Sequence, residues 1–327
     1  MKRSLGVSIR YACTFAVTCL LFPQMPGLDA DEPVPSPDIP VNKERLRQDV
    51  QTLAAVVPAR NAKNIASLDK SAEYILEEFR KTGGRTDIQR FIDNGKEYRN
   101  VICSFGPEAG ERIIVGAHYD VQGDQPGADD NASGIAGLLE LSRLVQSLKP
   151  ELKYRIDLVA FTLEEGQLWK HPLARHYGSY IHAQSLAQAG VRIRAMICLE
   201  MIGYFSDQPH SQKFPLFFLK WFYPDKGNFI AVVGKWGQGP LVKTVKNLLA
   251  VPSQVPVESL TAVSFLPGIS FSDHQSYWKF NYPAVMITDT AFFRNKNYHK
   301  PSDTADTLDY DRMAEVVKGL FWAAVNL

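Results

Sequence analysis

Apolar residues recur along this chain in two periods. Leu46, Val50, Leu53, Ala54 and Val57 fall at helical spacing, and residues 65–81 read as a second amphipathic helix ending before Gly83-Gly84, a pair suited to a helix C-terminus. The period then shortens to that of strands. Residues 87–91, 99–105, 112–118 and 155–163 are short β-rich runs, and a helix over 133–148 separates the last two. Further apolar runs at 195–199, 229–233 and 284–288 alternate with helical stretches such as 240–250. A final helix over 310–325 places Met313, Val316, Val317, Leu320 and Phe321 on one stripe. Strands alternating with helices predict an α/β fold: a mixed, mostly parallel central sheet covered by helices on both faces.

Two stretches depart from this pattern. Residues 205–227, rich in Phe, Trp, Tyr, Pro and Lys, fit neither period and read as an insertion over the sheet edge, its aromatics a small satellite core rather than a substrate wall. At the start of the chain, Lys2, Arg3 and Arg10 precede the apolar run 11–22, and Leu28-Asp29-Ala30 offers a cleavage point. Residues 1–30 therefore read as a signal peptide or N-terminal anchor. Residues 31–40, with four prolines, read as a linker, and 41–327 as a single domain. The expected location is periplasmic or secreted, with membrane anchoring if the segment is not cleaved. Export would leave Cys103 and Cys198 in the mature chain, where both sit in apolar strand-like runs and read as buried thiols in preference to a bridge.

Composition narrows the class further. The chain has 327 residues, 45% of them hydrophobic, and a formal net charge of +1, enough to bury a full core. It has no basic stripe with interleaved aromatics, so no nucleic-acid partner is expected. G-x-S-x-G, P-loop and dinucleotide-binding strings are absent too. Oligomeric state leaves no sign in the sequence.

Candidate chemistry gathers at the ends of the expected strands. Glu164-Glu165 closes one apolar run, His118-Tyr119-Asp120 follows another, Asp129-Asp130-Asn131 precedes the helix over 133–148, Glu200 ends a third run, and His299 lies in a late loop. A hydrolytic zinc site takes nitrogen and oxygen ligands and keeps one position open for water. His118, Asp130, Glu165, Glu200 and His299 supply such ligands. If one carboxylate bridges two ions roughly 3.5–4 Å apart, two terminal ligands remain for each ion and Glu164 is free to act as general base. Alone, each residue has a plainer explanation. His118 suits a hydrogen-bonded histidine, Asp130 a helix N-cap that Asn131 or Ser133 could equally provide, Glu164-Glu165 a solvated strand end, and Glu200 a partnered acid. Their joint placement favours a site.

The strings His118-Tyr119-Asp120, Pro126-Gly127-Ala128-Asp129-Asp130-Asn131-Ala132-Ser133-Gly134, Glu164-Glu165, Leu199-Glu200-Met201-Ile202-Gly203-Tyr204 and Tyr298-His299-Lys300-Pro301-Ser302-Asp303-Thr304 resemble, in order, the motifs of the co-catalytic zinc exopeptidases related to bacterial leucyl aminopeptidase. Ser272-Asp273-His274 and Ile287-Thr288-Asp289-Thr290-Ala291 match bacterial members as well, so the resemblance runs from about Val41 to the C-terminus. It implies two zinc ions: His118 and Glu200 on one, Glu165 and His299 on the other, and Asp130 bridging them ahead of a cis peptide to Asn131. Asp120 would orient the ligand histidine, and Glu164 would activate a metal-bridging water. Many relatives carry Asp where Glu200 stands, one methylene shorter.

The activity so implied is removal of a terminal residue from peptide substrates. Aminopeptidase action is favoured, because Asp130, Glu164, Glu165 and Glu200 leave surplus negative charge to receive an α-ammonium group. Arg294 is the cation near His299 that would otherwise meet a terminal carboxylate, although a lone loop arginine reads first as a surface charge or structural ion pair. A glutaminyl-peptide cyclotransferase with a single zinc is the first alternative, permitted by the long stretch after Glu165 containing Trp169. A non-catalytic peptidase-like ectodomain is the second, and it would be expected to have lost ligands.

Overall fold

The computed structural model describes residues 37–165 and 178–327. The N-terminal segment, most of the linker and the stretch with Trp169 lie outside the described residues. Among the described residues eight strands form one sheet in the order β1-β2-β4-β3-β5-β8-β6-β7. In chain order they are β1 (Arg85–Asp93), β2 (Lys96–Phe105), β3 (Arg112–His118), β4 (Arg155–Phe161), β5 (Ile193–Glu200), β6 (Ile230–Lys235), β7 (Val257–Ala262) and β8 (Ala284–Thr288). The four central strands β4, β3, β5 and β8 run parallel to one another. Antiparallel pairings join β1 to β2, β2 to β4 and β6 to β8.

Among the described residues seven helices cover the sheet: α1 (Lys43–Ala54), α2 (Ile65–Arg80), α3 (Gly134–Leu148), α4 (Gly178–Gln188), α5 (Gly239–Ala250), α6 (His274–Trp278) and α7 (Tyr310–Asn326). The strand period of two divides the central residues between the faces. On β5, Ala195, Ile197 and Leu199 join a core built with α1, α2, α3, α5 and α7, while Met196 and Cys198 join a second core with α4 and α6. This two-sided burial explains why the central strands read as nearly continuous apolar runs. Cys103 and Cys198 are buried free thiols.

Ile39, placed in the linker by its proline-rich surroundings, is 3% exposed and packs into the first core. The packed chain thus begins before Val41, because an isolated isoleucine between prolines still gains from burial. Among the described residues no helix is long and apolar enough to cross a membrane.

Candidate metal centre

The carboxyl ends of the parallel strands converge on one place, the usual location of a site in an open α/β sheet. His118 is the last residue of β3, Glu200 the last of β5, and Glu164-Glu165 follow β4. Asp130 lies in a single wide turn, Ala128–Ser133, ahead of α3, and His299 in the loop between β8 and α7. The peptide between Asp130 and Asn131 is cis. Left-handed backbone at Leu163 (φ 62°), Met201 (φ 54°) and His299 (φ 55°) marks three of these segments, as at many functional turns.

Asp130 stands between two groups. Its Oδ1 lies 3.4 Å from His118 Nε2, which is also 3.4 Å from Glu200 Oε2. Its Oδ2 lies 3.0 Å from His299 Nε2, which is 3.0 Å from Glu165 Oε1. The five expected ligands are thus together, two on each side of Asp130, and Glu164 pairs with neither histidine. Among the described residues, one ligand atom each from His118, Asp130 and Glu165 lie within 4.8 Å of one another.

The donor set fits a metal. His118 Nε2 and Asp130 Oδ1 are buried without a hydrogen-bond partner, although such groups are normally satisfied. The carboxylates of Asp130, Glu164, Glu165 and Glu200 are all buried, with the imidazoles of His118 and His299 placed against them. Burial raises Glu164 well above the ordinary carboxylate range and brings Glu165 to about 8, with Asp130 adding to the latter. Burial also raises Asp130, but the hydrogen bonds and charges of His118 and His299 outweigh it and leave its pKa below the ordinary value. In His299, burial acts downward and is overcome by Asp130 and Glu165, which lift the imidazole to about 10. Such a crowd of buried acids calls for a cation.

Polar ties hold the ligands in register. Asn131 Nδ2 donates to Leu199 O at 2.8 Å, and its Oδ1 accepts from Gly134 N and Met201 N, both at 3.1 Å. Asn131, not Asp130, therefore serves the start of α3, which leaves the Asp130 carboxylate free. Asp303 accepts from Asp129 N and Asp130 N at 2.9 and 3.1 Å, coupling the Asp130 turn to the His299 loop. Ser272 Oγ donates to Glu200 Oε2 at 2.6 Å. Asp120 faces both His118 and the glutamate pair. Its carboxylate accepts from Glu164 N and Glu165 N at 3.1 and 3.0 Å, and His118 Nδ1 lies 3.1 Å from the Asp120 carbonyl but 3.6 Å from the carboxylate. Carbonyl and carboxylate of Asp120 both face the ring, the carbonyl nearer, and the side chain also ties the glutamate pair to β3.

Sequence reasoning gave no role to Arg60. Its guanidinium, 1% exposed, donates to the carbonyls of Tyr119 (2.8 Å), Leu53 (3.0 Å) and Gly127 (2.6 Å), and also to Pro126. At Gly127, φ is +59° and a Cβ would stand 2.3 Å from Asp130 O, so glycine alone fits the chain there. Arg294, the other cation of interest, is 6% exposed, with Nε donating to Gln212 Oε1 at 3.0 Å and Nη1 to Phe229 O at 2.8 Å. Its Nε and Nη1 are thus held by the fold, while Nη2 is buried without a hydrogen-bond partner.

A cleft opens beside Glu200. Phe229, Ala231, Val233 and Met286 line it from the sheet, Phe271 and Phe292 from loops, and Phe214, Leu219 and Tyr223 from the 205–227 insertion. Four inner side chains of the insertion, those three and Pro215, thus form part of a cleft wall and not a closed satellite core. Their partners across the cleft come from distant segments, which composition alone does not reveal.

The sequence pattern of peptidase family M28 matches residues 100–323. The chain belongs to that family. As an M28 peptidase it is a hydrolase of the zinc-dependent kind, and it is 44% identical over 301 residues to the uncharacterized protein YfbL of Escherichia coli K12, covering 90% of this chain and 91% of that one. Its fold superposes on the LapA aminopeptidase of Legionella pneumophila with a TM-score of 0.69 at 21% identity, over 87% of this chain and 71% of LapA. A glutaminyl cyclase from Bacteroides thetaiotaomicron superposes with a TM-score of 0.66 at 18% identity, over 89% and 100% of the two chains.

Proposed function

We propose that this M28 peptidase is an aminopeptidase with two zinc sites, His118 and Glu200 on one side, Glu165 and His299 on the other, and Asp130 between them. The position of Asp130, with one oxygen toward each histidine, carries this reading. Bound zinc would supply Lewis acidity at the scissile carbonyl and lower the pKa of water. Glu164 takes the proton of the attacking water and delivers it to the leaving amine. Asp120 fixes the backbone of Glu164 while that proton moves. The purified protein should contain about two zinc ions per chain, and a chelator should abolish peptide hydrolysis until zinc is restored. Full activity with at most one tightly held ion would refute the dinuclear assignment.

The substrate end follows from charge. The buried carboxylates suit a free α-ammonium, and the apolar cleft suits a hydrophobic terminal side chain. A terminal carboxylate would need a cation, yet Arg294 is buried outside the cleft lining and the one lysine or arginine among the described cleft residues is exposed Lys213. One tripeptide compared with its N-acetylated and C-amidated forms should show loss of the acetylated substrate and retention of the amidated one. The opposite pattern would make the enzyme a carboxypeptidase.

The likeness to a glutaminyl cyclase supports the second reading, a cyclotransferase on the same scaffold. A peptide beginning with Gln separates the two. Release of free glutamine is expected, and formation of a pyroglutamyl peptide with loss of ammonia would establish the alternative.

A further inference from the structure

Residues 205–227 present a second, outward face. Phe217, Trp221 and Phe222 are 72, 67 and 58% exposed. They come from the 3-10 turn Phe217–Trp221 and the residue after it, and the Phe217 and Trp221 rings meet edge to face with centroids 5.7 Å apart. Phe265, 82% exposed, lies two residues before Pro267, itself part of the cleft lining. An exposed cluster of this size marks an interaction surface. Lys213, Lys220 and Lys226 are exposed in the same segment and make no ion pair among the described residues. The neighbouring acids are already engaged, Asp225 with His210 at 2.9 Å and Asp207 with Arg312. With Asp207 paired to Arg312, Lys213, Lys220 and Lys226 stand against Asp225 alone, which leaves the segment net positive around its aromatic rings.

The chain enters the fold on this flank. Val41 and Lys43 share a surface hollow with Asn228 and Arg312, the residue after the insertion and the partner of Asp207 within it. Residues 23–36, which separate the apolar run 11–22 from the described chain, reach at most about 50 Å when extended. A bilayer that holds or has just passed the N-terminal run is thus within reach of the aromatic face.

We propose that this flank docks on an anionic phospholipid bilayer, with Phe217, Trp221 and Phe222 in the interfacial layer and Lys213, Lys220 and Lys226 among the head groups. Tryptophan and phenylalanine flanked by lysine is the side-chain chemistry that the membrane interface favours. A second copy of the chain is a poor occupant, because a two-fold contact would set the same unpaired lysines against each other. Docking brings the cleft mouth, where Lys213 and Phe292 lie, to the lipid surface.

Full-length protein mixed with vesicles of phosphatidylcholine and phosphatidylglycerol, brominated in their acyl chains, tests this through quenching of tryptophan emission. The N-terminal segment can hold every variant on the vesicle, so the readout is the Trp221 share of quenching, the difference between wild type and Trp221→Phe. That share should account for most of the quenching. It should fall severalfold in Lys213→Gln/Lys220→Gln/Lys226→Gln or when phosphatidylcholine alone is used, since each lysine near an anionic surface contributes measurably to binding. Equal quenching of wild type and Trp221→Phe would overturn the proposal. So would a concentration-dependent shift of Trp221 emission without vesicles, which would assign the face to a second copy.

Discussion

Glu164→Gln should retain the bound metal and lower kcat by about 10²–10⁴-fold, the usual contribution of a general base. The amide keeps the shape of the carboxylate but cannot accept a proton from water. Retention of metal follows from the geometry. His118 Nε2 is close to Asp130 and Glu200, His299 Nε2 is close to Asp130 and Glu165, and neither histidine pairs with Glu164. The Glu164 backbone is held by Asp120, so substitution of the side chain leaves its segment in place. Glu165→Gln should behave in the opposite way, weakening metal retention while activity recovers in part at saturating zinc. Metal content and kcat measured on both variants, with zinc in excess and after dialysis, distinguish the roles. If both lose metal equally and neither slows turnover at saturating zinc, the division of labour between the adjacent glutamates is wrong.

The central elements and the candidate residues that converge at their ends are legible because two simple signals coincide in them. Buried parallel strands are continuous apolar runs, and polar residues at their ends stand out against those runs. β3 and β8 begin and end where the apolar pattern does, and His118, Glu165 and Glu200 interrupt or end the runs as acids or imidazoles that need partners. What could not be read is what acts across distance in the chain. Asp303 is 173 residues from the backbone amide of Asp130 that it holds, and no local period reports such a contact. Asp120 reads as the partner of His118, and its second task, accepting from the Glu164 and Glu165 amides, is one that residue type does not encode. The insertion failed for a related reason: its aromatics have no period, and only the folded chain shows which rings face the cleft and which face outward.

Arg60→Met should cost about 3–5 kcal/mol of stability, the range for removing one partner from a buried charged network, and should reduce metal affinity by about 10–100-fold, as loss of groups that support metal ligands commonly does. Methionine fills much of the same volume, so the loss would reflect hydrogen bonds more than a cavity. In the native chain one guanidinium serves four carbonyls, from Leu53 at the end of α1, Tyr119 beside His118, and Pro126 and Gly127 ahead of Asp130. Removing it takes the side-chain donor from all four, and while Leu53 O and Gly127 O keep backbone donors in Val56 N and Ala132 N, the Tyr119 and Pro126 oxygens lose theirs. Burial lowers the Arg60 pKa to about 10, opposed by Asp303, Asp120 and Asp130, so the group remains charged at neutral pH and also offsets the acids of the centre. Both arms of the cradle carry proposed ligands, His118 on one and Asp130 on the other. Loosening it should therefore separate the bridging carboxylate from the histidine before the sheet itself unfolds. Chemical denaturation read alongside zinc titration would test this order. A variant with the expected loss of stability but unchanged zinc affinity would show that Arg60 supports the fold without positioning the ligands.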